Sequence, residues 1–263
     1  MKIGYPRVKL AIAAVCMKHP ITQKSRYKSL SITGRFEQML KLVYFKMRAL
    51  AEAPQLLLTY CGIDYEYCMS WDHFDDVWVN VKPRISFQQL PVLEVEDGTQ
   101  ICQSVAILQY IENLGGLKIN DPVKAAEAIA VLQSAQELFA PLNPTVNFAI
   151  GQDFKDKKDS MRTNLKSRFS DLARYLDKHE GRYFIDDIPR AAEFACFHHL
   201  DLSRLLDPEL LNGFPRLIKF VQDIEDIETV SKYLKYRPKL VDVGMEPKLV
   251  IDGIEHPTGV NKT

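Results

Sequence analysis

The residues that are best suited to bind a ligand lie between Gln89 and Ile111. Gln103 and Ser104 directly precede a segment in which apolar residues recur every three or four positions, which predicts an amphipathic helix beginning near Ser104. Backbone N–H groups at a helix start attract anions, so a carboxylate can bind over Gln103 and Ser104. An extended ligand can also pair with the backbone before Pro91. The pattern indicates a small-ligand site with one anionic end, or else an ordinary hairpin and helix.

A hairpin and a helix must position these residues. Residues 92–96 follow Pro91 and end in alternating apolar and acidic side chains, the pattern of a half-buried strand. Asp97-Gly98 predicts a two-residue turn in which both positions have positive φ, and residues 99–102 then form the partner strand. The helix is expected to end at Gly115-Gly116.

A strand, a helix and a second strand are predicted upstream of the hairpin. The run Leu-Val-Tyr-Phe at residues 42–45 is typical of a strand, residues 48–60 favour a helix, and residues 65–69 form the next strand. Strand, helix and strand within about 30 residues is a parallel βαβ unit. With the hairpin and its helix it gives the order βαβ-ββα, which is thioredoxin-like. The segment at residues 70–88 is polar and is expected to be irregular.

The remaining body of the chain has helical patterns throughout. We predict helices at residues 123–138, 157–179, 191–205, 214–221 and 230–234. The fold class is therefore α/β plus all-α, with a thioredoxin-like N-terminal domain followed by an all-helical C-terminal domain. The expected segments are a basic extension at 1–38, the thioredoxin-like domain at 39–116, a linker at 117–122, the helical domain at 123–239 and a polar tail at 240–263.

Composition narrows the class of protein. Lys+Arg and Asp+Glu both number 34, and this balance gives no argument for nucleic acid or an anionic surface as a partner. No apolar run approaches the roughly 20 residues that a membrane-spanning helix needs. The five cysteines are odd in number and never spaced as CxxC. We interpret them as reduced thiols of a cytoplasmic protein, most of them in the core.

Residues 1–38 differ in composition from the rest of the chain. They contain eight basic residues against one acid, Glu37. A disordered extension, or upstream sequence ahead of a start at Met39, is the favoured interpretation, and an organelle transit peptide is the alternative.

The site segment resembles the glutathione-binding half of the glutathione transferases. The residues that carry the resemblance are Gln89, Leu90, Pro91, Gln103 and Ser104. The resemblance implies a cis bond before Pro91, pairing of Leu90 with the cysteinyl backbone of glutathione, and binding of the γ-glutamyl carboxylate by Gln103 and Ser104. It extends over residues 41–238 through GRYFIDD, AAEFACF, LNGFPRL and YLKYRP. The sigma class, which includes prostaglandin D synthases and S-crystallins, is the most similar group.

The resemblance also implies a catalytic residue and further contacts to glutathione. Tyr44, at the end of the first strand, aligns with the family's catalytic tyrosine, whose hydroxyl stabilises the glutathione thiolate. Trp78 and Lys82 lie eleven and seven residues before Gln89, which is the family's spacing for two further glutathione contacts. Glutathione would act as co-substrate, with no cofactor and no metal, since the adjacent His198-His199 lack the i, i+4 spacing of helical metal ligands.

The chain departs from the family pattern at three places. Sigma enzymes commonly have Asn-x-Arg-Gly-Arg-Ala-Glu after the tyrosine; here Arg48 and Glu52 match, but Leu50 replaces an arginine. The aspartate that a partner subunit offers to glutathione has no clear match, which leaves Gln136 or Glu137 as substitutes. The expected Ser/Thr-x-x-Asp helix cap is Arg190-Ala-Ala-Glu193, which loses the capping hydroxyl.

Together these features predict a cytoplasmic, homodimeric glutathione transferase that conjugates glutathione to a hydrophobic electrophile, with prostaglandin isomerase or peroxidase chemistry as side activities. Because Leu50 replaces an arginine and the partner aspartate has no clear match, the alternative function is that of a non-enzymatic ligand carrier or a crystallin-like structural protein. A redox-active thioredoxin relative is disfavoured, because Cys61 and Cys68 lie away from the position after the first strand.

Overall fold

The computed structural model describes residues 39–179, 181–237, 249–251 and 254–256 of the chain. A four-stranded sheet in the order β2-β1-β3-β4 forms its first half. The strands are β1 (Leu40–Tyr44), β2 (Tyr65–Met69), β3 (Val92–Glu94) and β4 (Gln100–Cys102). β1 and β2 are parallel and joined through α1 (Ala49–Cys61), whereas β3 and β4 add antiparallel strands before α4 (Ser104–Leu114). This confirms the predicted thioredoxin-like order.

The hairpin between β3 and β4 has a different turn from the predicted one. Gly98 donates its N–H to the Val95 carbonyl (2.9 Å), and Val95 donates to the Thr99 carbonyl (3.0 Å), so three residues form the loop. Gly98 has a φ of 83°, whereas Asp97 is not in the left-handed region and instead accepts the Thr99 N–H at its Oδ1 (2.9 Å). A turn closed by one left-handed glycine is the common three-residue hairpin.

The segment at residues 70–88, predicted to be irregular, contains four short helical pieces. They are α2 (Ser70–Phe74), α3 (Trp78–Val81) and two 3₁₀ turns, Lys82–Arg84 and Ser86–Gln88. Asp76 stabilises the start of α3, because its Oδ1 accepts the Val77 N–H (2.8 Å) and the Asn80 amide (3.0 Å). Single turns are too short to show a helical period in the sequence, which is why the pattern missed them.

The second half of the described chain is helical, as predicted. Its helices are α5 (Pro122–Gln136), α6 (Phe139–Asn147), α7 (Gly151–Asp177), α8 (Ala191–Leu206), α9 (Pro215–Glu225) and α10 (Glu228–Tyr236), with a 3₁₀ turn at Pro208–Leu211. Helix α6, which contains prolines, was not predicted, and α7 begins six residues before the predicted start at residue 157. A two-stranded pairing of β5 (Leu249–Ile251) with β6 (Ile254–His256) follows, where only a polar tail was expected. None of the described helices has the length and apolar character to cross a membrane.

Helix α8 lies at the centre of the helical half and packs against α1, α5 and α9. Its side chains Phe194, Cys196 and Phe197 are fully buried. The capping carboxylate predicted at its start is present: Glu193 accepts the Arg190 N–H (2.8 Å) and the Phe184 N–H (3.2 Å). The acid therefore serves the helix start although the capping hydroxyl is lost.

The expectation that most cysteines are core residues is wrong for those that the structure describes. Cys196 is buried, but Cys61, Cys68 and Cys102 are only half-buried, and all four are free thiols. Cys68 and Cys102 are on the two edge strands of the sheet, β2 and β4, where one side of the strand has no covering neighbour. Cys16 lies outside the described residues.

Candidate functional site

Tyr44 ends β1 and is buried, with 5% of its surface exposed. Burial raises the pKa of its hydroxyl, and a hydrogen bond from the Leu50 backbone N–H, at the start of α1, acts in the opposite direction. The hydroxyl is therefore protonated at neutral pH, because even an unperturbed tyrosine has a pKa near 10. A protonated hydroxyl beside a helix N-terminus can donate a hydrogen bond to an anion such as a thiolate.

Gln89 and Gln103 come together although they are 14 residues apart. The Gln103 side chain donates from Nε2 to Gln89 Oε1 at 3.1 Å. Gln103 also has a φ of 71°, a left-handed conformation that is uncommon for a residue other than glycine. Ser104 follows as the first residue of α4 and is nearly buried, at 8% exposed. The structure thus places the predicted anion-binding residues at the start of a helix, with strain of about 1–3 kcal/mol in the residue ahead of it.

The bond between Leu90 and Pro91 is cis, the isomer that the resemblance implies. Leu90 is buried, at 8% exposed, while the preceding Gln89 is exposed and has extended backbone (φ −139°). The backbone ahead of β3 is therefore in the conformation that pairs with an extended ligand.

Trp78 and Lys82 lie in consecutive helical turns but in different surroundings. Trp78 begins α3, and its ring meets Phe45, the neighbour of Tyr44, edge to face with ring centres 5.2 Å apart. Lys82 is exposed and lines an open cleft of about 440 Å³. The cleft is lined by Lys82, Pro83, Ile85, Phe87, Gln88 and Gln89. Tyr44, Trp78, Gln103 and Ser104 do not line it, so the cleft joins two of the predicted glutathione contacts and not the whole set.

The two secondary candidates are Arg48 and Gln136. Arg48 precedes α1, and its Nε is 3.9 Å from Glu52 Oε2, so its side chain is directed along α1. Gln136 is the last residue of α5, and its neighbour Glu137 pairs with Arg168 Nη1 at 2.5 Å. No hydrogen bond joins Gln136 to the other candidates in the described part of the chain.

Two features of the α1 start were not singled out from the sequence. Ala49 has a φ of 32° and is buried, a conformation that costs an L-residue about 1–2 kcal/mol. The family pattern has glycine at this position, and the alanine found here was the signal in the sequence.

Glu52 is a fully buried carboxylate, at 1% exposed, in a helix whose other buried residues are mostly apolar. An acid on an apolar helix face indicates a buried partner.

His198 and His199, which lack the spacing of helical metal ligands, are both core residues at 3% and 2% exposed. Burial lowers the pKa of His198 to about 3 and also lowers that of His199. Both side chains are therefore neutral at physiological pH.

Comparison with known proteins shows the family. The model described as "Glutathione S-transferase, N-terminal domain" matches residues 40–113, and "Glutathione S-transferase, C-terminal domain" matches residues 142–237. Hematopoietic prostaglandin D synthase of Gallus gallus is 31% identical over 205 residues, which cover 76% of this chain and 96% of that protein. The chain belongs to the glutathione S-transferase family. The resemblance drawn from residues 89–104 is therefore confirmed, including its affinity to the prostaglandin D synthase group.

Further family members agree with this assignment. Glutathione S-transferase 1 of Ascaris suum is 27% identical over 205 residues, covering 76% of this chain and 97% of that protein. The crystal structure of the glutathione S-transferase from Ascaris lumbricoides has a TM-score of 0.68 and 25% identity, and the match covers 76% of this chain and 98% of that one. The thioredoxin-like sheet followed by helices is thus a glutathione transferase fold in this chain.

Proposed function

We propose that this glutathione transferase activates the thiol of bound glutathione through the Tyr44 hydroxyl and transfers the resulting thiolate to an electrophile. The observation that carries the proposal is the burial of Tyr44 at the end of β1, just before the start of α1. The glutathione S–H bond loses its proton to solvent, the sulfur forms a bond to the electrophilic carbon, and the leaving group departs with its bonding pair. The tyrosine keeps its proton and acts as a hydrogen-bond donor.

The proposed binding mode uses the start of α4 and the strand edge before β3. The α4 N-terminus with Gln103 and Ser104 takes the γ-glutamyl carboxylate, since backbone N–H groups there favour anions. The backbone of Leu90 pairs with the cysteinyl residue. The remaining proposed contacts come from Trp78, Lys82, Gln89 and Pro91, with Arg48 and Gln136 as secondary candidates. Glutathione is the co-substrate, and the proposed reaction needs no cofactor.

The energy that the site must supply is modest. An ordinary thiol has a pKa near 8.5, so about 3% of it is thiolate at pH 7. Lowering this pKa by about two units, which is about 2.7 kcal/mol, makes thiolate the main species. A hydrogen bond to a charged acceptor contributes about 1.5–3 kcal/mol, so the Tyr44 hydroxyl can supply most of it.

The second substrate is proposed to be a hydrophobic electrophile, as in detoxification. The relative from Gallus gallus is named as a prostaglandin D synthase, which makes a prostaglandin-like endoperoxide a sensible second test substrate. Nothing in the described structure or among the relatives favours the alternative of a non-enzymatic carrier.

The test is Tyr44→Phe, which removes the donor and keeps the ring. Turnover of an aryl halide at pH 7 should fall roughly 25-fold, and the pKa of bound glutathione should rise by about two units, while glutathione affinity is kept. Tyr60→Phe is the matched control, because Tyr60 is a half-buried tyrosine whose ring packs at a tilt against Phe194 in the core, with ring centres 5.2 Å apart. Unchanged turnover in Tyr44→Phe would refute the mechanism.

Assembly, location and boundaries are part of the proposal. We propose a cytoplasmic homodimer, supported by the free thiols of the four described cysteines and by exposed apolar side chains such as Phe87 (72% exposed) and Val79 (65% exposed). Residues 39–116 are proposed as the glutathione domain, 117–122 as the linker and 123–239 as the helical domain, between a basic extension at 1–38 and a tail at 240–263. Gel filtration of the purified full chain tests the dimer.

A further inference from the structure

Glu52 is a buried carboxylate of α1 whose strongest partners come from the helical half of the chain. The Tyr233 hydroxyl, on α10, donates to Glu52 Oε2 at 3.0 Å. Arg237, just after α10, donates from Nη1 to Glu52 Oε1 and from Nη2 to Asp201 Oδ2 on α8 (3.1 Å). A charged residue of α1 is thus joined to α10 and, through Arg237, to α8, both of which lie in the second half of the chain.

Further groups near Glu52 come from α1 itself and from β2. Along α1 itself, Arg48 Nε lies 3.9 Å from Glu52 Oε2, and Gln55 Nε2 donates to the same oxygen at 3.5 Å. From β2, the Tyr65 hydroxyl donates to Gln55 Oε1 at 3.3 Å. With Tyr233, Arg237 and Asp201, these residues make one continuous polar network inside the protein. Buried networks of this kind hold a single arrangement when every member is paired.

The network reaches the environment of Tyr44 through the first turn of α1. Glu52 is the fourth residue of α1, and the Leu50 N–H that hydrogen-bonds to the Tyr44 hydroxyl belongs to the same turn. The short loop between Tyr44 and α1 is held by a residue of β2, because the Tyr67 hydroxyl lies 2.7 Å from the Phe45 carbonyl and 3.0 Å from the Met47 carbonyl. A displacement of this turn therefore changes the position of the Leu50 N–H relative to the tyrosine.

The backbone of Ala49, at the start of this turn, has a conformation that is unfavourable for alanine. Its φ of 32° is strained for alanine, and such a conformation persists only where surrounding contacts determine it. The contacts come from the helical half, because Tyr233 and Arg237 hold the Glu52 carboxylate three residues later.

We propose that Glu52, Arg237 and Tyr233 are positioning residues, through which the helical domain holds the first turn of α1 against the Tyr44 hydroxyl. None of them is placed in contact with glutathione. The inference rests on the proposed role of Tyr44, and it adds that the acidity of bound glutathione depends on a contact between the two domains.

The experiment measures the pKa of bound glutathione from the pH dependence of kcat/KM and from the ultraviolet absorbance of the thiolate. Glu52→Gln removes the charge with little change of shape, and Tyr233→Phe removes one donor while both charges stay paired. In either variant kcat/KM at neutral pH should fall roughly 3- to 10-fold, matching a rise of about half to one pKa unit. Activity should recover at alkaline pH, with KM for glutathione within about twofold of the original.

The matched control is Glu112→Gln. Glu112, on α4, accepts the Ala191 N–H of α8 at 3.1 Å, so it also joins the two halves, but at a place remote from the first turn of α1. This variant should lose stability and keep the original pH profile. An equal shift in Glu112→Gln would overturn the proposal, because the effect would then be a general loss of contact between the domains.

The two proposals fail in different ways. If Glu52→Gln and Tyr233→Phe fold and keep the original profile while Tyr44→Phe loses activity, the positioning role is wrong and the proposed function stands. If Tyr44→Phe also keeps full activity, the proposed function is wrong. Should Glu52→Gln not fold, Tyr233→Phe decides alone, since it leaves the Glu52–Arg237 ion pair in place.

Discussion

Ser104→Ala gives a direct test of the anion site at the start of α4. Ser104 is the first residue of that helix and is 8% exposed, and Ser104→Ala removes the proposed hydrogen bond to the glutathione carboxylate. A hydrogen bond to a charged group contributes about 1.5–3 kcal/mol, which corresponds to roughly a 10- to 150-fold weaker binding of glutathione. The same contact exists before and during the reaction, so kcat at saturating glutathione should not change.

The assay is steady-state kinetics with varied glutathione, together with calorimetric titration of glutathione alone. Ser70→Ala is the matched control, because Ser70 is also a buried serine at the first position of a helix in the same domain. The control should keep its KM for glutathione. A KM within about twofold of the original in Ser104→Ala would refute the placement of the carboxylate.

Two further predictions concern charge. Leu50→Arg restores the arginine of the family pattern and should lower the pKa of bound glutathione by about one unit. The pH dependence of kcat/KM measures this shift, and the uncharged control Leu50→Gln should not show it. Equal pH profiles for both variants would contradict the prediction. Because burial lowers the pKa of His198 to about 3, unfolding takes up a proton between that pH and about 6.5, and stability falls as the pH falls through this window. In urea unfolding, the free energy of unfolding of the original protein should fall between pH 7.5 and pH 5 by about 2 kcal/mol more than that of His198→Asn. Parallel pH profiles for the two proteins would count against this prediction.

Periodic patterns predicted most of the elements because each of them has enough residues to bury one face. The strand predicted at residues 65–69 is β2, and the helix predicted from Ser104 is α4. Glycines mark the helix ends in the sequence: Gly62, with a φ of 65°, donates its N–H to the carbonyls of the last turn of α1. Where the elements are single turns, as in residues 70–88, or contain prolines, as in α6, no period exists to be recognised.

The arrangement of the candidate site followed from the resemblance and not from local pattern. Gln89 and Gln103 match the family's pattern, and the hairpin of β3 and β4 between them brings their side chains together. The partnership of Glu52 with Arg237 spans 185 positions, and no local rule of spacing or amphipathicity encodes it. The sequence could show only that Glu52 is an acid on an apolar helix face, which predicts a buried partner without naming one.

Tryptophan occurs only twice in the chain, at Trp71 and Trp78, and both lie in the short helices beside the sheet. The Lys46 ammonium is 5.4 Å from the centre of the Trp71 ring, and Trp78 touches Phe45 next to Tyr44. Tryptophan emission therefore reports on the glutathione half alone, whereas far-ultraviolet circular dichroism is dominated by the long helices of the other half. Two optical signals from one unlabelled sample thus follow the two halves of the protein separately.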